Sequence, residues 1–161
     1  MADLGQLTAY IDEYDIVFKF GRTTYKIKPT AENVLDFMRN MEGLKDRSRG
    51  IDQYDVWELA APLLGARFDR ETFRFEAGPE DHPHRDLIPD LLAQGMDIET
   101  LDRVISAAHV KYMHGDDVAE EFVKTRSLGK ALRSVREREQ AELDAAEKVT
   151  PRDTGGTSVD A

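Results

Sequence analysis

IVFKFGRTTYKIKP, residues 16–29, is the stretch that decides the fold class. Ile16, Phe18 and Phe20 alternate with Val17 and Lys19, and Tyr25 and Ile27 alternate with Thr24, Lys26 and Lys28. Alternation of this kind sends successive side chains to opposite faces of a strand. Gly21-Arg22 between the two runs suits a two-residue type II′ turn, which prefers glycine at its first central position. The register follows: Phe20 faces Thr23, Phe18 faces Tyr25 and Ile16 faces Ile27. The apolar residues of both strands then share one face and the lysines the other. A slip by one residue would destroy that agreement. Pro29 stops the second strand because it has no N–H for a ladder.

Beyond Pro29 the pattern turns helical. Thr30 is a good N-cap; Val34, Leu35, Met38 and Met41 form a stripe, and Gly43 sits where a helix usually ends. Residues 45–50 read as a charged loop. Asp52 caps a second helix bearing Val56, Leu59, Ala60, Leu63 and Leu64, with Trp57 beside them. Pro62 predicts a kink or early stop there, and Gly65 closes the segment. Residues 72–76 suit a short strand, and 78–85 (GPEDHPHR) read as a loop. A short helix follows over 88–94, with Pro89 in its first turn. Asp97 caps a longer helix through Ile98, Leu101, Ile105, Ala108 and Tyr112, ended by Gly115. Asp116 or Asp117 caps the next, whose apolar face is Val118, Ala119 and Phe122. So short a break predicts that these two pack as a helical hairpin.

After Arg126 the character changes. Leu128, Leu132 and Val135 continue a stripe, but residues 136–146 (REREQAELDAA) favour helix while offering almost no face to bury. Residues 150–161 hold a proline, paired glycines and few apolar groups, the composition of a disordered tail. The expected class is mainly α with a small N-terminal β-hairpin (α+β). A compact hairpin-plus-helices domain over 1–125 would be followed by a charged helical extension over 126–149 and the tail over 150–161.

Composition bounds the function. A chain of 161 residues, 40% hydrophobic and 34% charged, supports one modest core with long solvated helices. No run approaches the ~18 apolar residues that span a bilayer, and MADLGQLTAYIDEYD lacks the basic start and apolar run of a secretory signal. The absence of cysteine removes disulfides and thiol chemistry and fits a reducing cytoplasm. A formal charge of −10 repels phosphate, arguing against nucleic acid and anionic membranes. The excess lies in residues 52–121, where 17 acids face 6 bases, whereas residues 19–28 carry four bases and no acid.

Chemistry-bearing residues are few. His82 and His84, with Glu80, Asp81 and Asp86, have ligand types suited to a divalent metal, but prolines interrupt them and no helical spacing aligns them, so a solvated loop is the simpler reading. His109 and His114 are five apart and point to different faces. The clusters Asp12-Glu13-Asp15 and Asp116-Asp117 lie at element boundaries, where capping explains them better than acid–base work. No phosphate loop, nucleophile elbow or zincin motif occurs, so neither an enzyme nor a cofactor is expected. Arg126, Lys130 and Arg133, with Arg136 one turn on, offer cations to RNA, yet Glu137, Glu139 and Glu142 follow at once and no aromatic interleaves. A solvated helix with i, i+4 ion pairs accounts for them.

The order of several short motifs resembles a known family. Gly21-Arg22-Thr23-Thr24-Tyr25-Lys26-Ile27-Lys28-Pro29 follows an acidic leader, Leu63-Leu64-Gly65 closes a helix, and Leu92-Ala93-Gln94-Gly95 steps into another. Gly115-Asp116-Asp117-Val118-Ala119-Glu120-Glu121-Phe122 then opens a further helix. Over residues 2–125 this succession is similar to tail assembly chaperones of long-tailed (siphovirus) bacteriophages infecting actinobacteria. Departures are an extra residue before Tyr25, an apparent insertion over 69–86, and the charged helix 128–148 in place of a Gly/Ser/Arg-rich tail. The resemblance implies a non-enzymatic role in the host cytoplasm. Such a protein coats the tape measure protein, delivers tail tube subunits to it, and is absent from the mature virion. In many such phages a ribosomal frameshift also makes a longer form. The expected partner surface is Leu128, Leu132 and Val135, flanked by Arg126, Lys130 and Arg133. The competing readings are a small acidic regulatory domain that binds another protein, and a metal protein using His82 and His84.

Overall fold

The computed structural model describes residues 16–44 and 50–149. The cluster Asp12-Glu13-Asp15, most of the charged loop 45–50 and the tail 150–161 lie outside them. Among the described residues are two hairpins and six α-helices, so the chain is mixed α+β and mainly α. It divides into two compact units, 1–113 and 114–161.

The first unit opens with β1 (Ile16–Phe20) and β2 (Thr23–Ile27). Their pairing is antiparallel, with Ile16 opposite Ile27, Phe18 opposite Tyr25 and Phe20 opposite Thr23, which is the expected register. Gly21 has φ 63° while Arg22 stays at negative φ, as a type II′ turn requires. Ile16 and Ile27 are buried, Phe18, Phe20 and Tyr25 pack on the core, and Val17 and both lysines face outward. The Phe18 and Tyr25 rings stack at 5.3 Å.

Helix α1 (Ala31–Leu44) begins where Thr30 Oγ1 accepts the Asn33 N–H at 3.1 Å. Its buried residues are Phe37, Met41 and Leu44, while Leu35 and Met38 are 63% and 50% exposed. The expected stripe is therefore rotated off the core-facing side: Met41 is buried and Val34 packs at its edge, but Leu35 and Met38 face outward and the stripe omits the buried Phe37 and Leu44. Helix α2 (Gln53–Ala60) starts with a reciprocal capping box, Asp52 accepting from the Asp55 N–H and Asp55 from the Asp52 N–H. Pro62 cannot continue it, and the chain tightens into a 3-10 turn, Ala61–Leu64, closed by Gly65 at φ 81°.

Residues 66–77 form a second hairpin, β3 (Ala66–Asp69) with β4 (Arg74–Ala77). The strand expected over 72–76 overlaps β4, whereas β3 is an element beyond those expected. Phe68 lies opposite Phe75, and Arg67 opposite Glu76 with a 2.5 Å ion pair that pins the register. The loop from Gly78 leads to α3 (Leu87–Ala93) and α4 (Ile98–His114). Asp97 caps α4 by accepting the Thr100 N–H at 2.7 Å, and that bond holds its carboxyl below the usual range. The core runs from Ile27 and Phe37 through Trp57, Leu63 and Leu64 to Ile88, Leu91, Leu101 and Ile105. Burying each such side chain contributes about 1.5–3 kcal/mol.

The second unit pairs α5 (Asp116–Thr125) with α6 (Leu128–Val149). Gly115, not an aspartate, is the N-cap of α5, and Asp116 and Asp117 occupy its first turn, where negative charge complements the helix dipole. The residues buried where α5 packs on α6 are Val118, Ala131 and Val135. Arg126 at φ 57° and Ser127 make the two-residue link. Arg138 meets Glu121 across the pair at 2.7 Å.

Candidate functional site

Two apolar concavities stand out in the first unit. One lies along the outward face of α1. Ala31, Val34, Leu35 and Met38 follow the i, i+3, i+4, i+7 spacing of a helix face, and with Pro29, Pro83 and Tyr112 they line a groove of about 810 Å³. Lys28 and His84 stand at its border. Helix α1 is thus apolar on two sides: Phe37, Met41 and Leu44 face inward, Leu35 and Met38 outward.

The other is built of aromatic rings. Tyr54 and Trp57 of α2, Phe68 of β3, Phe75 of β4 and Phe73 at the hairpin turn make successive contacts. Tyr54–Phe73 are 5.1 Å apart, Trp57–Phe68 5.1 Å, Phe68–Phe75 4.9 Å and Phe68–Phe73 5.4 Å. Beside them a pocket of about 530 Å³ takes Arg74, Pro89, Leu92 and Ile98 into its wall. Phe73 is 57% exposed and holds φ 57°, a left-handed conformation that costs a bulky residue roughly 1–2 kcal/mol. Ile98 is also exposed, and Tyr54 partly so. Trp57 is fixed from the other side by donating its indole N–H to Asp102 at 2.6 Å.

Arg70 lies in the same turn as Phe73, and its guanidinium reaches Asp55 at 2.7 Å, Asp52 at 3.1 Å and Glu58 at 3.0 Å. Its partners line one side of α2, so the hairpin turn is clamped to that helix. The sequence reading passed over this surface because the aromatic residues come from three elements; the run Thr72-Phe73-Arg74-Phe75 was its local trace.

The residues singled out in the sequence are placed differently. Leu128 and Leu132 are half-buried and Val135 is buried in the α5–α6 pair, while Arg126, Lys130 and Arg133 are exposed. The expected stripe is thus largely spent inside its own unit. His82, expected in a solvated loop, is buried, because the turn 79–85 folds its ring over Gly65. A Cβ on Gly65 would lie 2.6 Å from His82 Nδ1. His82 Nδ1 accepts the His84 N–H at 3.0 Å, so the ring proton sits on Nε2, and burial pushes the imidazole below its ordinary value, the neighbouring His84 adding to this. With Nδ1 occupied and the two imidazole centroids 6.0 Å apart, His82 and His84 are not arranged as a chelating pair. Among the described residues no group of three His, Cys, Asp or Glu side chains is placed to hold a metal, and no helix is long and apolar enough to cross a membrane. Comparison of the chain with protein-family models, curated proteins and solved structures found no match.

Proposed function

We propose that this chain is a non-enzymatic, protein-binding assembly factor, and that it serves as a tail assembly chaperone of a long-tailed phage. Its main partner would be the tape measure protein, with the tail tube subunit as a second, and it would act in the host cytoplasm without entering the virion. The observation that carries the binding role is the aromatic surface around Phe73. A large side chain held outward at a strained backbone position, beside an apolar pocket and above a rigid clamp, has the character of a binding hot spot. The partner is supported by the motif order from Gly21 to Phe122. A long helical protein awaiting its tube exposes apolar stripes, and an acidic partner with a rigid aromatic contact would keep it dispersed.

The test is co-expression with the tape measure protein of the same phage, followed by co-purification. The unmodified chain is expected to keep that protein soluble and to copurify with it. Phe73→Asp with Ile98→Asp should lower recovery about tenfold or more, whereas Lys130→Glu with Arg133→Glu should not. Loss only in the second variant would return the surface to α6. No recovery with the unmodified chain would overturn the chaperone reading.

A further inference from the structure

We propose that the protein self-associates through the part of α6 that extends past α5. Two copies pair antiparallel, so that Leu132 of each meets Leu143 of the other and Arg136 of each meets Glu139 of the other. Helix α5 has 10 residues and α6 has 22, or about 15 Å against 33 Å of axis. Val135 is the last buried residue of α6, and every side chain from Arg136 to Lys148 is exposed, Leu143 at 62%. Leu132, itself half-buried, then Arg136, Glu139 and Leu143 follow one another at four, three and four residues, the spacing of one coiled-coil face.

Charge says what fits that face. Residues 128–138 carry four bases and one acid, and residues 139–149 carry four acids and one base. This order is the reverse of what the helix dipole favours, and no acid stands in the first turn. It does not serve the isolated helix. An antiparallel copy, however, lays its acidic half along the basic half of the first, and the reverse. A parallel copy would set base on base and acid on acid.

Two-fold symmetry makes each contact occur twice. A dyad between Glu137 and Arg138 sets Leu132 opposite Leu143 and Arg136 opposite Glu139 in a single register. Arg138 is already engaged by Glu121, and Gln140 by Asp144. Among the described residues Arg136 and Glu139 have no ion-pair partner, so the register joins the two charges that a single chain leaves unmatched. Leucine at both ends supplies apolar contact, and the charges between fix the register. From Leu132 to Leu143 the seam runs about 16 Å, so the interface is small and the dimer forms and parts with concentration. The inference concerns α6 alone and needs no other protein, so it stands apart from the partner assigned above.

Sedimentation equilibrium of the purified full chain tests it, over about 1 µM to 1 mM, the range that suits an interface of this size. The mass is expected to rise toward twice that of one chain. Arg136→Glu sets acid against acid at both symmetric contacts and should weaken the dimer about tenfold or more. Adding Glu139→Arg to that variant reverses the pair and should restore the dimer. Leu143→Ser should weaken association several-fold. All three positions are exposed, so circular dichroism and amide protection over α5 should match those of the unmodified chain. The mass of one chain at every concentration overturns the proposal and leaves the face to a different protein. Association that Arg136→Glu does not weaken, or that the reversal does not restore, overturns the antiparallel pairing.

Discussion

The guanidinium of Arg70, in the turn between β3 and β4, lies 2.7 Å from the carboxylate of Asp55, which is 1% exposed. Asp55 also accepts the Asp52 N–H at 3.0 Å, so one buried charge closes a helix cap and anchors a hairpin. Arg70→Ala takes the guanidinium from a buried carboxylate and should lower unfolding free energy in a denaturant titration by about 3–5 kcal/mol. Asp55→Ala should cost less, because Arg70 is 34% exposed and keeps Asp52 and Glu58; its loss is chiefly that of the reciprocal cap, about 1 kcal/mol. A double-mutant cycle giving no coupling between the two would show that the clamp is not a unit.

The N-terminal hairpin gives a sharper local test. Phe18→Asp puts a carboxylate on the core-facing side, where Phe18 stacks on Tyr25, and should cost several kcal/mol. Lys19→Asp points outward and should change stability by less than about 0.5 kcal/mol. Equal losses would mean the two faces are reversed.

The second unit depends on a seam that a count of large apolar residues undervalues. Ala131 is 0% exposed, and with Val118 and Val135 it lets α5 and α6 approach closely. Ala131→Asp should abolish amide protection over α5 and much of α6, leaving the thermal transition of residues 16–113 in place. The exposed pair Arg138–Glu121 should matter far less, within about 1 kcal/mol for Arg138→Ala. Retained protection in the Ala131 variant would place the seam elsewhere.

These cases show what the sequence could carry. Period-2 alternation around Gly21-Arg22 left a single consistent register, so the hairpin was legible residue by residue. Thr30, Asp52 and Asp97 announced helix starts because a capping oxygen acts within three residues of itself. Helix α1 was legible as a helix but not as to its face: Val34, Leu35, Phe37, Met38 and Met41 spread over nearly half of its circumference, and periodicity alone cannot rank the two sides of so broad an apolar arc. Strand β3 was hidden because ARFD is four residues long and half charged. Ala131 carries no apolar weight in a stripe, so its place in the α5–α6 pair, where it is 0% exposed, was not legible. The aromatic surface around Phe73, drawn from α2, β3, β4 and their turn, exists only once the chain is folded.

His82 illustrates the same limit and yields a pH prediction. Its burial follows from a contact with Gly65, seventeen positions earlier, whose φ of 81° already disfavours any side chain. In the folded chain the imidazole titrates below its ordinary value because burial disfavours the charged form. The unfolded chain, titrating near 6.5, therefore binds more protons than the folded one as pH falls through that region. Stability is fully present above the unfolded value and declines as pH drops below it, until the folded imidazole also takes a proton. Thermal midpoints measured downward from neutral pH should show this decline beginning near 6.5, ahead of the carboxylates. His82→Gln should flatten that part of the curve, since glutamine can still accept the His84 N–H and carries no charge to desolvate. Gly65→Ala should destabilise at every pH, and His82→Ala should not rescue it, because the added methyl also lies 2.7 Å from the His84 carbonyl oxygen. An unchanged profile in the His82→Gln chain would assign the acid limb to other groups.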